Sequence, residues 1–362
     1  MKSKVFYPLL LLLSTLLWSC SQSDVLNSSD SGNLKSSLTA GVQNLNSALS
    51  EITSSPGFQV LTGNSSLKSV TTSPVDSLLT NQILLSDISG IYDYKVPSTQ
   101  WGQISSQRYF SKTASSSVMV VRLPQEKVVS PRTLFTYSPG DTLLTNNYVI
   151  SVSDYLYKFK SFVGYDYRLA SDIKIKDVDA GSLKIQSTLN YVNGYDYFSE
   201  FDFPNGYVTK CYATSGDTAM SSYSISKGGT TLYEEMYTAT RTSATSWYRE
   251  RSYSLTIGDV QIVRTLAKGQ MLDSARVYVK GVLQTKAKVE VVNKTTDTSN
   301  QSLTHKTRDL KITFDDGTSS TLTELEGAVI DNISSLFSSM RQVNFATDVV
   351  DWIAWDIYRS KK

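Results

Sequence analysis

The sequence predicts an α+β fold: an N-terminal helix, a large antiparallel β-sheet and two C-terminal helices. Three observations predict it. Apolar residues recur at helical spacing between residues 34 and 52. From about Ile83 to Asp315 that period disappears and apolar residues alternate with polar ones. After Gly317 the helical period returns.

The first helix is written by Leu34, Leu38, Val42, Leu45, Leu49 and Ile52, at intervals of 4, 4, 3, 4 and 3. Those intervals place all six on one stripe. Ser, Asn and Gln fill the opposite side, so the helix packs by one face. Ser55-Pro56-Gly57 ends it.

The strands follow. In "LKIQSTLNYV", Leu183, Ile185, Leu189 and Tyr191 share one face. "ARVYVKGVL" puts Ala275, Val277, Val279 and Leu283 together, and "KAKVEVV" does the same for Ala287, Val289 and Val291. "RDLKITFDDG" gives Leu310, Ile312 and Phe314, then a turn. Turn signals at Ser138-Pro139-Gly140-Asp141, Asn193-Gly194, Pro204-Asn205-Gly206, Ser215-Gly216-Asp217, Lys227-Gly228-Gly229 and Lys268-Gly269 separate such runs. No βαβ rhythm appears, which argues against a parallel sheet. A meander, a half-barrel and a closed barrel all fit the pattern.

The second helical stripe is Leu322, Leu325, Val329, Ile333, Leu336 and Met340, and Thr321 with Glu324 fits a capping box. A third helix covers about Ala346 to Tyr358, with a wide apolar set that includes Val349, Val350, Trp352, Ile353, Trp355 and Ile357. The expected position for these helices is across the sheet face that carries Ile185, Leu189, Val277, Val279, Val289 and Val291.

Ahead of all this stands "MKSKVFYPLLLLLSTLLWSCSQ". Lys2 and Lys4 precede an uncharged apolar run from Val5 to Trp18, too short to span a bilayer, which takes about 20 residues. That is the form of a secretory signal. Leu17-Trp18-Ser19-Cys20 resembles the lipobox of bacterial lipoproteins, although Trp18 stands where that pattern prefers a small or β-branched residue. The resemblance implies cleavage before Cys20, acylation of Cys20, and attachment to a membrane through the acyl chains, each buried CH₂ contributing about 0.8 kcal/mol. Ser21 rather than Asp at the next position implies, by analogy with enteric lipoproteins, the outer membrane. The expected organisation is a signal peptide at 1–19, a lipidated Ser/Asn/Asp tether at 20–32, a helix at 33–55, a β domain at 56–316 and C-terminal helices at 317–362.

Charge and composition exclude several function classes. The chain has 35 Lys+Arg and 33 Asp+Glu, and loss of residues 1–19 removes Lys2 and Lys4 but no acid. The mature chain is then neutral, without the basic surface that phosphate-backbone binding needs, so no nucleic-acid partner is expected. With Cys20 acylated, Cys211 stands alone and reads as a small buried hydrophobe on the strand face of Tyr207 and Thr209. The single histidine, His305, argues against histidine catalysis or a zinc site. No G-x-S-x-G, P-loop, H-E-x-x-H or C-x-x-C is present, and no cofactor is expected. Asp177 and Asp179 in "DVDAGS" begin like a calcium loop, but Gly181 and Thr188 occupy later ligand positions.

The 22 tyrosines are the feature left over. "GYDY" occurs at Gly164–Tyr167 and again at Gly194–Tyr197. On a strand the two tyrosines of each copy share one face and the aspartate takes the other. Tyr165, Tyr167, Tyr195 and Tyr197 are thus candidates either for cross-strand packing or for stacking against a ligand such as a glycan. Asp196, Glu200 and Asp202 fall on the opposite face, where a solvated surface competes with a carboxylate pair for glycoside hydrolysis. Glu234 and Glu235 point to opposite faces and cannot act as a pair.

Asp76-Ser77-Leu78, Asp141-Thr142-Leu143, Asp217-Thr218-Ala219 and Asp273-Ser274-Ala275 resemble the short O-glycosylation signal of exported Bacteroidota proteins. That resemblance makes Ser77, Thr142, Thr218 and Ser274 candidate attachment sites. The order of helix, long antiparallel sheet and helices also resembles, in outline only, the half-barrel lipoprotein carriers. The expectation is a lipid-anchored envelope lipoprotein with a non-enzymatic binding or structural role. A carrier of lipid or another apolar ligand is the alternative, and a carboxylate-dependent glycan hydrolase the second alternative.

Overall fold

The structure, a computed structural model, describes residues 32–61, 81–96, 106–129, 134, 139–160, 163–190, 194–241, 249–266, 274–295, 306–314, 316–326, 329, 332–333, 336 and 344–361. Cys20, Ser77, His305 and Met340 lie outside them.

Helix α1 runs from Gly32 to Thr53, and its leucine stripe is fully buried, with Leu34, Leu45 and Ile52 at 0 % exposure. Ser55 closes it by donating to the Ile52 carbonyl at 2.6 Å. The same hydroxyl accepts from the Phe58 amide and so opens a second helix, α2, over Pro56–Leu61. The Pro-Gly pair therefore starts a helix as well as ending one, because proline at a first helical position loses no needed donor.

The strands that follow are β1 (Asn81–Leu84), β2 (Gly90–Tyr94), β3 (Phe110–Ala114) and β4 (Met119–Leu123), with short helices α3 (Leu85–Ile88), α4 (Ser106–Tyr109) and α5 (Gln125–Val129) among them. Then come β5 (Tyr148–Lys160), β6 (Gly164–Ile175), β7 (Val178–Asn190), β8 (Gly194–Asp202), β9 (Tyr207–Thr214), β10 (Thr218–Lys227) and β11 (Thr230–Arg241). The series continues with β12 (Arg249–Ile257), β13 (Val260–Leu266), β14 (Ser274–Val279) and β15 (Val282–Leu283). Together they make one fifteen-stranded open sheet in which each strand from β5 to β15 pairs antiparallel with the next. The long strand β5 pairs with β4 over its first half and with β1 over its second. The expected large antiparallel sheet is thus found, and of the forms the pattern allowed it takes the open meander, with one parallel pair, β2 with β4.

Two strand assignments differ from the sequence pattern. Lys280 and Gly281, at φ 49° and 79°, form a tight turn that sends the chain back on itself. Leu283 consequently pairs with Tyr278 and lies on the face opposite Val277 and Val279. Val289 belongs to a separate three-stranded sheet of β16 (Lys288–Thr295), β17 (Lys306–Thr313) and β18 (Ser319–Thr321), and so does Val291. Alternation reports which residues share a strand face. It carries no information on which sheet the strand joins.

Helix α6 (Leu322–Glu326) packs on β17, β18 and α1, so this part of the second stripe covers the small sheet rather than the large one. Its capping box forms as expected: the Thr321 amide donates to Glu324 at 2.9 Å and the Glu324 amide to the Thr321 hydroxyl at 3.1 Å. Helix α7 (Asn344–Ser360) packs on α3, α4 and β1, with Val349, Val350, Ile353 and Ala354 buried. It reaches the large sheet through β5 and β6.

Helix α1 crosses β11, β12, β13 and β14 near one end of the strands. Glu51, close to its C-terminus, meets the turns of two neighbouring hairpins, accepting from the Lys227 ammonium at 3.0 Å and, through its carbonyl, from Asn205 at 3.1 Å. The crossing is close because Gly41 faces Gly258: a Cβ at residue 41 would come within 2.9 Å of the Ile257 carbonyl oxygen. Gly41→Val is therefore expected to lower stability by about 1–3 kcal/mol through overpacking, read from a urea titration. Gly140→Ala, with nothing within 4 Å of the new carbon, is the matched control and should leave the midpoint in place.

Candidate functional site

Antiparallel register lines residues up in rows that share a face of the sheet. Three adjacent rows on the helix-covered face differ in character. The row nearest α1 includes Val152, Leu183, Phe201, Ile225, Ile257 and Val279, all at 4 % exposure or less. The middle row runs through Tyr155, Leu169, Ile185, Ser199, Cys211, Tyr223, Glu235 and Leu255. It is buried at both ends and half-buried at Tyr223 and Glu235. The far row reads Tyr157, Tyr167, Ser187, Tyr197, Ala213, Ser221, Tyr237 and Tyr253. Here Tyr157, Tyr167, Tyr197 and Tyr253 are half-buried and Tyr237 is 38 % exposed. The face thus grades from an apolar floor under α1 to a strip of tyrosines toward the other strand ends.

All four tyrosines of the two "GYDY" copies lie on this face, as the alternation requires. They divide in their contacts. Tyr167 is engaged by α7, donating to Asp351 Oδ1 at 3.3 Å, while Tyr155 donates to the same oxygen at 2.9 Å. Tyr157 meets Trp355 edge-on at 5.0 Å. The Tyr165 hydroxyl lies 3.0 Å from that of Ser187. Tyr195 and Tyr197 lie parallel, 6.3 Å apart with 11° between their planes, and are half-buried. Burial holds both phenols above their ordinary pKa, so they remain neutral donors.

Tyr223, Glu235, Tyr237 and Tyr253 complete the strip and were not singled out by the sequence motifs. Their signal is the alternation in "LYEEMYTAT", which sets Tyr233, Glu235 and Tyr237 on one face. Glu234 falls on the other face, as expected, with Ser224 and Thr256 as its neighbours.

The remaining acidic candidates lie on the outer face. Glu200 pairs with Lys210 at 2.8 Å, Asp196 accepts from the Tyr212 hydroxyl at 3.1 Å, and Asp202 lies 3.5 Å from Ser182 Oγ. Asp177 occupies a tight turn between β6 and β7 at φ 64°, and Asp179 Oδ1 accepts from the Gly181 amide. Neither opens a calcium loop, and no group of three metal-capable side chains occurs among the described residues. Cys211 is buried at 7 %, in line with Thr209 and Tyr207 at 0 % and 4 %.

Of the glycosylation triplets, Asp141-Thr142-Leu143 sits on a 3₁₀ turn with Asp141 buried, Thr142 exposed and Leu143 85 % exposed. Thr218 is exposed at the start of β10, 3.3 Å from the Thr240 hydroxyl. Ser274 begins β14. Among the described residues no helix is long and apolar enough to cross a membrane.

Asp351 is the most perturbed acid. Burial pushes its carboxyl up to about 7, the neighbouring Asp348 acts in the same direction, and the two phenol bonds oppose. Burial also raises Asp348, to about 6. A carboxyl whose folded-state pKa lies above its unfolded value contributes stability that is fully present below the unfolded pKa. That contribution is lost as pH rises through about 7. Asp351→Asn keeps an acceptor for Tyr155 and Tyr167 without the charge. It is expected to raise the thermal midpoint at about pH 8 and to flatten its decline between about pH 5 and 8. A decline as steep as in the unaltered protein would place the titration elsewhere.

No family model, curated protein or solved structure matches this chain.

Proposed function

We propose that this chain is a lipid-anchored cell-envelope protein with a non-enzymatic binding role, and that the tyrosine strip is its glycan-binding face. The observation that carries the reading is the parallel pair Tyr195 and Tyr197 on a strip that continues to the exposed Tyr237. Flat aromatic faces take up the C–H faces of sugar rings, and phenol hydroxyls at their rims bond to sugar hydroxyls. The strip runs from β8 to β12, four inter-strand spacings of about 4.8 Å each, a span that suits a short oligosaccharide lying across the strands. The carrier alternative is less favoured because the leucines of α1 already occupy the apolar rows beneath it. The hydrolase alternative is less favoured because Glu200 is bound by Lys210 on the far side of the sheet.

The anchor rests on the signal and Cys20, and Ser77, Thr142, Thr218 and Ser274 stand as proposed O-glycan attachment sites. Native mass spectrometry of protein extracted from its own envelope tests both halves. The expected result is an N-terminus at acylated Cys20 and a non-covalent sugar adduct that disappears when Tyr195 and Tyr197 are both changed to Ala. An unacylated N-terminus would refute the anchor. Absence of any adduct, or one that survives the double substitution, would refute the binding face. Peptide mapping of the same material separates covalent glycans from bound ones.

A further inference from the structure

Glu235 is an unusual residue for the strip that holds it. The residue is half-buried on a face whose neighbouring positions are mostly aromatic and apolar but also include Ser199, Ser221 and, beside Tyr253, Arg264. Tyr233 precedes it by two residues on the same strand face and donates to Oε2 at 3.2 Å. Tyr237 follows it by two, Tyr223 lies directly across on β10, and Tyr253 lies one row up on β12. None of the ion pairs described among these residues includes Glu235, and the cation nearest to it along the rows is Arg264, beside Tyr253 on β13. A carboxylate drawn partly out of water is costly unless a donor or a cation meets it, and here the described donor is the Tyr233 hydroxyl. A carboxylate set among tyrosine side chains is also an arrangement suited to an organic ammonium, which the acid neutralises and aromatic rings attract.

We propose that the strip takes an amino sugar with a free, protonated amine, and that Glu235 is the residue that selects it. The proposal rests on the reading of the strip as a glycan-binding face. The rings of Tyr197, Tyr223, Tyr237 and Tyr253, spread from β8 to β12 with Ala213 between the first two, are what favour a saccharide over a lone ammonium headgroup, which would need only the groups around Glu235.

The test uses the full mature chain and two probes of equal length, the β-1,4-linked hexamer of glucosamine and its N-acetylated counterpart, at a pH where the free amines are charged. The expected result is about tenfold tighter binding of the glucosamine hexamer, the size of one charge-assisted contact. Added salt should reduce that preference. Glu235→Gln should abolish it, read as a ratio of the two Kd values that falls to about one. Equal binding of the two hexamers to the unaltered chain, or a preference that survives Glu235→Gln, overturns the role of Glu235 while the binding face stands. Failure of both hexamers to bind overturns the glycan-binding face and the choice of an amino sugar. Vesicles containing phosphatidylethanolamine are the third probe. Capture of these by the unaltered chain but not by Glu235→Gln, with neither hexamer bound, assigns the same ammonium recognition to a lipid headgroup and overturns the sugar.

Discussion

Deleting residues 344–362 is expected to cost the protein its cooperative fold. Helix α7 buries Val349, Val350, Ile353 and Ala354, and Trp352 and Trp355 meet Tyr109, Phe110 and Tyr157. Each buried Val or Ile side chain stabilises by about 1.5–3 kcal/mol, and a whole domain is stable by only about 5–15 kcal/mol. The polar bonds of the helix would go too. Tyr155 and Tyr167 lose Asp351, and Asn81 loses the Tyr358 hydroxyl at 2.8 Å. The truncated chain should aggregate or melt without a cooperative transition. A transition at the full-length midpoint would show that α7 contributes nothing to the core and acts instead as a removable cover.

Lys127→Ala is expected to have the largest effect of any single substitution, about 3–5 kcal/mol read from a urea titration. The Lys127 ammonium lies 2.8 Å from Asp141 Oδ2, with the two side chains only 4 % and 8 % exposed. Removing the lysine leaves a buried carboxylate without its counter-charge beside Tyr94, whose phenol is pushed up to about 12 by burial and by Asp141. Replacing both partners at once, by Lys127→Met with Asp141→Leu, should recover most of the loss, because an apolar pair of similar volume needs no counter-charge. If the single substitution costs under about 1 kcal/mol, the pair behaves as an exposed one.

The architecture was largely legible in the sequence because it rests on periodicity. The stripe from Leu34 to Ile52 predicts a helix with one buried face, and that is what α1 is. The Tyr207, Thr209, Cys211 alternation predicts one buried strand face, and all three are buried. The Thr321–Glu324 spacing predicts a cap whose two bonds are both present. What was not legible depends on contacts between distant segments. Val289 alternates like Val277 yet belongs to a different sheet. Nothing in the turn signal that holds Asp141 announces its pairing with Lys127, which depends on how α5 meets a 3₁₀ turn. The candidate site was half legible. Tyr195 and Tyr197 stood out in a repeated motif, whereas Glu235 gained meaning only when the register set Tyr223 opposite it.

If the strip is a ligand face, its rings should be shielded from nitration when the ligand is bound. Two preparations are compared by peptide mapping: protein extracted gently from its own envelope, and the same mature chain produced in the cytoplasm of a foreign host. Tyr195, Tyr197, Tyr237 and Tyr253 should be modified in the foreign material and protected in the native extract, while Tyr148 and Tyr155, at 1 % and 2 % exposure, should resist in both. Equal reactivity of the strip in the two preparations would contradict a ligand face.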